Sequence, residues 1–374
     1  MAFSADKQRQ QLHTTTMYCA ATAAPPPSPS VQGKSQHVTA GAAADALSRL
    51  LHRLPPNLSL PTRRSSATSA FLPAISLADT NSADLLMSTS SEKGFFELIS
   101  HDVPSQLAHS AESEAFSLFD LSKYEKELNF PRNRPLGFED NENGNGDLFW
   151  LEATCFSDSK ELRLASLHEL TRALEKLGLE IVEKLSTVMG FENPIGMDPT
   201  RFRSIMLLHG SSQKDIPVIS GGSYPYILGL QYQIRSQKYY VLGDLGWSIV
   251  SPQVDSIMVT IGDIAQVWTN GKLKKVRGRP VRCLEEDINT SRCVSMTLLL
   301  TLPLETNVST LIPKAVPCCH AYEQNIREEE DEQNHGSIVE KEERLFVPFV
   351  FEDYARRVYH EPLLLKDPLD RYRI

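Results

Sequence analysis

Residues 255–276 read DSIMVTIGDIAQVWTNGKLKKV, and the reading of that stretch decides the fold. Its apolar, β-branched part, SIMVTIGDIAQVW (256–268), has the length and composition of a buried strand. It falls short of the roughly 20 apolar residues that cross a bilayer. A turn signal, Asn270-Gly271, separates it from a further strand candidate, KLKKVRGR (272–279). Other short strands lie on either side: RSIMLLHG (203–210), YILGLQYQI (226–234), KYYVLGD (238–244), GWSIVSP (246–252) and RCVSMTLLLTL (292–302). Short strands at turn-punctuated intervals point to a β-sandwich or jelly roll.

Upstream of residue 200 the pattern is mainly helical. Folded structure is expected to begin near FLPAISLAD (71–79), and GFFELISHDVP (94–104) reads as a strand ended by proline. PSQLAHSAESEAFSLF (104–119) reads as a helix, and PLGFEDNENGNGD (135–147) as turns. In 159–190, Leu164, Leu167, Leu170, Leu174, Leu177, Ile181 and Leu185 recur at three and four residues, the stripe of a long amphipathic helix. Gly190 is its expected C-terminal cap. Helices first and strands second give an α+β chain with one dominant β domain. The expected organisation is an N-terminal segment 1–70, a helical region 71–200, and a β domain 201–374 that carries an acidic loop at 321–344.

Residues 1–70 are rich in Ala, Ser, Thr and Pro. They read as a disordered tail or, alternatively, as a plastid transit segment, since AADALSRLLHRLPP (43–56) is amphipathic and acidic residues are few. The expected location is therefore cytoplasmic, with the plastid as alternative. Net charge is −9 over 374 residues, which argues against a nucleic-acid binder. No apolar run suggests a membrane partner either. Six cysteines (19, 155, 283, 293, 318 and 319) lack paired metal spacing and read as reduced thiols. The basic run KLKKVRGRPVR (272–282) is expected to be a solvated strand face or a patch for a protein partner.

These residues are similar to those of a known family. GFFELISHDVP resembles the GFF-x-x-x-N-H-G-V-P stretch of plant 2-oxoglutarate/Fe(II) dioxygenases, which include the gibberellin oxidases. GWSIVSP and 255–276 resemble that family's W-x-x-V-x-P and N-x-G-D-x-x-Q-x-x-T-N-G-x-x-K-S-V. The C-terminal FEDYARR and DPLDRYRI are similar to its closing helix and tail. The resemblance spans roughly residues 70–374 and implies a double-stranded β-helix, or jelly-roll, core framed by N-terminal helices.

The family holds iron with two histidines and one carboxylate, in G-x-H-x-D-P and a later V-x-H-R. Aligned on Pro225, the carboxylate slot falls at Tyr224 and the first histidine slot at Gly222; the second histidine slot is Gly278. Glycine offers no donor, and a phenol with a pKa near 10 is a poor Fe(II) ligand at neutral pH. His209 reads as a partly exposed strand-end histidine, and Asp244, Asp255 and Asp263 as turn or cap residues.

The family clamps 2-oxoglutarate with an R-x-S pair and a tyrosine. If Ser295 faces the cavity, period-two alternation puts Cys293 in the arginine slot and Arg292 on the opposite face, unless a bulge intervenes. The tyrosine region holds Met206, Leu207 or Leu208. The expected pocket lining is thus Leu207, Gly222, Tyr224 and Gly278.

The function this implies is a dioxygenase-like protein without metal-dependent catalysis, binding an apolar small molecule or a protein partner and needing no cofactor. The alternative is an active oxygenase using Fe(II) and 2-oxoglutarate on a gibberellin-like hormone or other plant metabolite, through a relocated metal site.

Overall fold

A computed structural model describes Asp45 and residues 68–133, 135–139, 147–153, 164–196, 198–210, 223–236, 238–243, 246–280, 294–313, 343–360 and 367–374, the side chains of Thr68 and 278–280 excepted. The chain divides into two compact units, Met1–Leu54 and Pro55–Ile374. All but one of the described residues belong to the second. All six cysteines, Asp244 and the acidic stretch 321–342 lie outside the described residues.

The strands are β1 (Thr68–Ser69), β2 (Ala74–Ser76), β3 (Phe95–Ile99), β4 (Gly137–Glu139), β5 (Leu148–Glu152), β6 (Arg203–Gly210) and β7 (Leu228–Tyr232). They continue with β8 (Tyr239–Gly243), β9 (Gly246–Val250), β10 (Ile257–Ile261), β11 (Arg277–Pro280), β12 (Val294–Thr301), β13 (Asn307–Val308) and β14 (Phe349–Val350). The helices are α1 (Ser82–Glu92), α2 (Ser105–Asp120), α3 (Lys123–Asn129), α4 (Ala165–Val188), α5 (Asp263–Trp268) and α6 (Phe351–His360), and a 3-10 turn, Pro368–Tyr372, closes the chain.

Among the described residues the larger sheet runs β2-β3-β10-β7-β12-β6-β5-β4 and the smaller β1-β9-β8-β11. Together they make the jelly roll, with helices covering one face of the larger sheet. The stretch 71–200 is not helical alone. It also supplies β2 and β3 beside β10, and β4 and β5 beside β6, which widen the larger sheet. β3 lies within GFFELISHDVP, where a strand is expected, but β4 and β5 are short and lie in or just after a turn-rich run, so local pattern gave little sign of them.

The long helix forms where its stripe predicts. Leu167, Leu170, Leu174 and Ile181 are fully buried, each side chain contributing about 1.5–3 kcal/mol. The stripe departs from expectation at one point. Leu177 is only half-buried, and Gly178 takes the contact: a Cβ there would sit 3.3 Å from Leu230 and 3.6 Å from Leu300. The missing side chain lets helix and sheet approach. Gly190 ends the helix with φ +74°, as its cap role requires.

The run 256–268 departs further. Only Ile257–Ile261 is strand; Asp263–Trp268 turns into a buried helix. The break sits at Gly262, where a Cβ would lie 1.9 Å from the carbonyl oxygen of Tyr226. Only glycine tolerates so close a crossing.

Candidate functional site

Strand alternation decides which side chains enter the barrel. On β12, Ser295, Thr297 and Leu299 face inward, opposite His209, Leu207 and Ile205 of β6. On β5, Leu148 and Trp150 fall beside His209 and Leu207. These side chains, with Ser223, Tyr224, Tyr226, Tyr239, Thr260 and Arg277, line a partly open cavity of about 80 Å³. Met206 and Leu208 point the other way, into the core, so Leu207 is the member of that trio that lines the barrel.

The site residues read from the sequence divide three ways. Tyr224, Leu207 and Ser295 line the cavity. Gly278 lies on β11, paired with Val241 of β8. Gly222 and Arg292 fall outside the described residues. His209 is partly exposed, as expected, and also borders the cavity.

Tyr224 is 5% exposed, its ring edge-on to Trp150 at 6.3 Å and to Phe351 of α6 at 5.8 Å. Its hydroxyl and the Trp150 indole nitrogen are buried without a hydrogen-bond partner among the described residues. Burial pushes the phenol up to about 12; Arg203 acts against that rise, while Glu152 and Glu352 add to it. Tyr224 also lines a second cavity, with Leu304, Glu352, Ala355 and Tyr359, so its ring stands as a wall between the two. Two residues on, Tyr226 is likewise buried and pushed up to about 12, but its hydroxyl donates to the Val276 carbonyl at 2.7 Å.

Beside this wall lies a charge cluster that the sequence reading missed. Asp263 Oδ1 accepts from Lys275 Nζ at 2.8 Å and from Arg277 Nη2 at 2.9 Å. Asp367, next to the closing turn, accepts from the same lysine at 2.6 Å and lies 3.8 Å from Arg277. The four charges cancel. Burial opposes ionisation of Asp263, yet Arg277 and Lys275 overcome it and hold the carboxyl below the usual carboxylate range. Arg277 is likewise held protonated: burial opposes it, but Asp263, Tyr354 and Asp367 together outweigh that burial.

Two expectations are corrected here. The basic run does not present a solvated face throughout, since Lys275 is buried and Arg277 nearly so. Asp263 is not only a cap residue; it anchors the cluster. Neither was legible, because each charge is satisfied by partners 12 to 14 or about 100 residues away.

No family model matches the chain. Over 287 residues it is 26% identical to gibberellin 2-beta-dioxygenase 3 of Arabidopsis thaliana, covering 67% of this chain and 82% of that protein. It is 25% identical to gibberellin 2-beta-dioxygenase 1 of Pisum sativum over 236 residues, 56% and 72% of the two chains. The fold matches a crystal structure of JOX2 in complex with 2OG, Fe and JA, with a TM-score of 0.63 at 17% identity, over 87% of this chain and 97% of that one. It also matches the rice dioxygenase for auxin oxidation, with a TM-score of 0.58 at 20% identity, over 81% and 100%.

The chain is similar in sequence to gibberellin 2-beta-dioxygenases and has the fold of the 2-oxoglutarate/Fe(II) dioxygenase superfamily. That superfamily's jelly roll supplies the framework, and the iron it implies can be tested against the residues present. Among the described residues no three His, Cys, Asp or Glu side chains converge. The cavity offers His209, three tyrosines, Ser and Thr hydroxyls and Arg277, with no carboxylate among the described lining. Tyr224, which the sequence alignment on Pro225 sets at the carboxylate slot, carries a phenol that burial keeps protonated. This donor set does not fit Fe(II).

Proposed function

We propose that this dioxygenase-fold chain binds an apolar small molecule inside its barrel without metal-dependent catalysis. The observation that carries this reading is the protonated phenol of Tyr224, packed against Trp150 and Phe351 where the resemblance implies a carboxylate ligand. A ring held there by two aromatic neighbours belongs to a wall. It is not poised as an anionic ligand. The cavity meanwhile opens to solvent, and Leu148, Trp150, Leu207 and Leu299 make much of its surface apolar. The relatives' names make gibberellins the first compounds to screen.

Anaerobic titration of the purified protein with Fe(II) and 2-oxoglutarate tests the metal half of this reading. The visible charge-transfer band needs 2-oxoglutarate chelated to bound iron, and no band is expected. A saturable band overturns the reading in favour of an active oxygenase with ligands outside Gly222, Tyr224 and Gly278. The variant Gly222→His/Tyr224→Asp/Gly278→His sharpens the result: iron binding gained there shows that only the ligands differ.

A further inference from the structure

We propose that Arg277 is an anion anchor inside the barrel, holding the carboxylate of an apolar ligand with no metal between them. This inference rests on the small-molecule reading above and adds the group that fixes the ligand.

Three observations converge on it. First, Arg277 lines the cavity, where the described lining holds no carboxylate; Asp263 and Asp367 balance its charge from outside that lining. Second, the guanidinium is only partly used. Nη2 donates to Asp263, and Asp367 lies at 3.8 Å. Nε and Nη1 have no protein partner among the described residues, and neither is among the fully buried unpaired atoms, so they keep contact with open space. A guanidinium offers five donors in a planar fork, and two neighbouring ones match a carboxylate.

Third, the arginine is held in place. Asp263 grips it from the strand-to-helix turn, and Lys275 takes the rest of the Asp263 charge, so the cluster stays neutral before any ligand arrives. Little side-chain entropy then remains to be lost on binding. Ser295 and Thr297 present hydroxyls to the same cavity, while Leu148, Leu207 and Leu299 give the rest of the ligand apolar contact.

Isothermal titration calorimetry with 2-naphthoate and with 2-naphthamide, close in shape but differing in charge, tests the anchor. The naphthoate is expected to bind about tenfold tighter or more, the ratio that a charge-assisted bidentate contact gives. Arg277→Lys should erode that preference, because an ammonium loses the planar fork, and Arg277→Gln should abolish it.

Removing the arginine also breaks a buried pair, so a second measurement uses the unaltered protein. Phenylglyoxal modifies arginines, and mass spectrometry of the modified peptides should show Arg277 protected by naphthoate but not by naphthamide. Equal affinities without protection overturn the anchor and leave the small-molecule reading standing. No binding of either probe at millimolar concentration overturns both.

Discussion

From Gly262 to Arg277 the buried charges are all paired, whereas thirty-odd residues earlier, at the strand entry, Tyr224 keeps a buried hydroxyl with no partner. The two regions touch through Tyr226, whose carbonyl oxygen abuts Gly262 and whose hydroxyl bonds Val276. The difference shows which parts of a scaffold stay constrained when its chemistry changes. A buried charge must be paired, because leaving one alone costs several kcal/mol. A neutral hydroxyl in a cavity wall costs about 1–3 kcal/mol unpaired, which a large aromatic packing surface offsets.

The sharpest way to break this comparison is Gly262→Ala. A methyl group 1.9 Å from a backbone oxygen cannot be accommodated by a rotamer change, so the turn must shift. Urea denaturation should show a loss of about 3–5 kcal/mol. A change below 1 kcal/mol would mean, on this scale, that turn and strand entry are not tightly docked.

Next is Asp263→Asn, which strips Lys275 and Arg277 of their shared carboxylate. The expected loss is about 3 kcal/mol, the usual size for a broken buried pair. The same carboxyl sets a pH dependence. Its folded pKa is depressed, so its stabilisation is complete above the unfolded value near 4 and is lost as pH falls toward the folded value. Melting curves between about pH 5 and 2 should therefore converge for wild type and variant at the acid end. Curves that stay parallel would place the stabilising charge elsewhere.

The two tyrosines then provide the closest contrast. Tyr226→Phe removes a hydroxyl that donates at 2.7 Å and leaves the Val276 carbonyl without that donor, at an expected cost of about 1–2 kcal/mol. Tyr224→Phe removes a hydroxyl with no partner, and its effect should be smallest, from no change to about 1 kcal/mol of stabilisation. If the two variants destabilised equally, Tyr224 would have to have a partner in solution.

Much of the frame was legible in the residues. Leu164 to Leu185 announced the long helix by its period, and the β-branched runs announced the barrel strands, because both signals are local. Alternation alone could neither fix Ser295 as inward-facing nor choose among Met206, Leu207 and Leu208 without the register to β12. The charge cluster was opaque for another reason. Nothing in KLKKVRGR tells Lys275 from Lys274: one is buried against Asp263, and the other stays partly exposed on the opposite side of the chain. Trp150 was missed because β5 follows a turn-rich stretch and is recognised only through its pairing with β6.

The position of β12 has a consequence for how the chain is made. β6 and β7 do not pair with each other; β12, near the far end of the sequence, lies between them. Until residue 301 has left the ribosome, the larger sheet exists as two separate halves, each with an open, apolar edge at its centre. The nascent protein therefore cannot close its barrel progressively from the N-terminus. Release of a late, largely buried strand becomes the event that joins the halves, and a chain stalled before it would expose both edges to pairing with other chains.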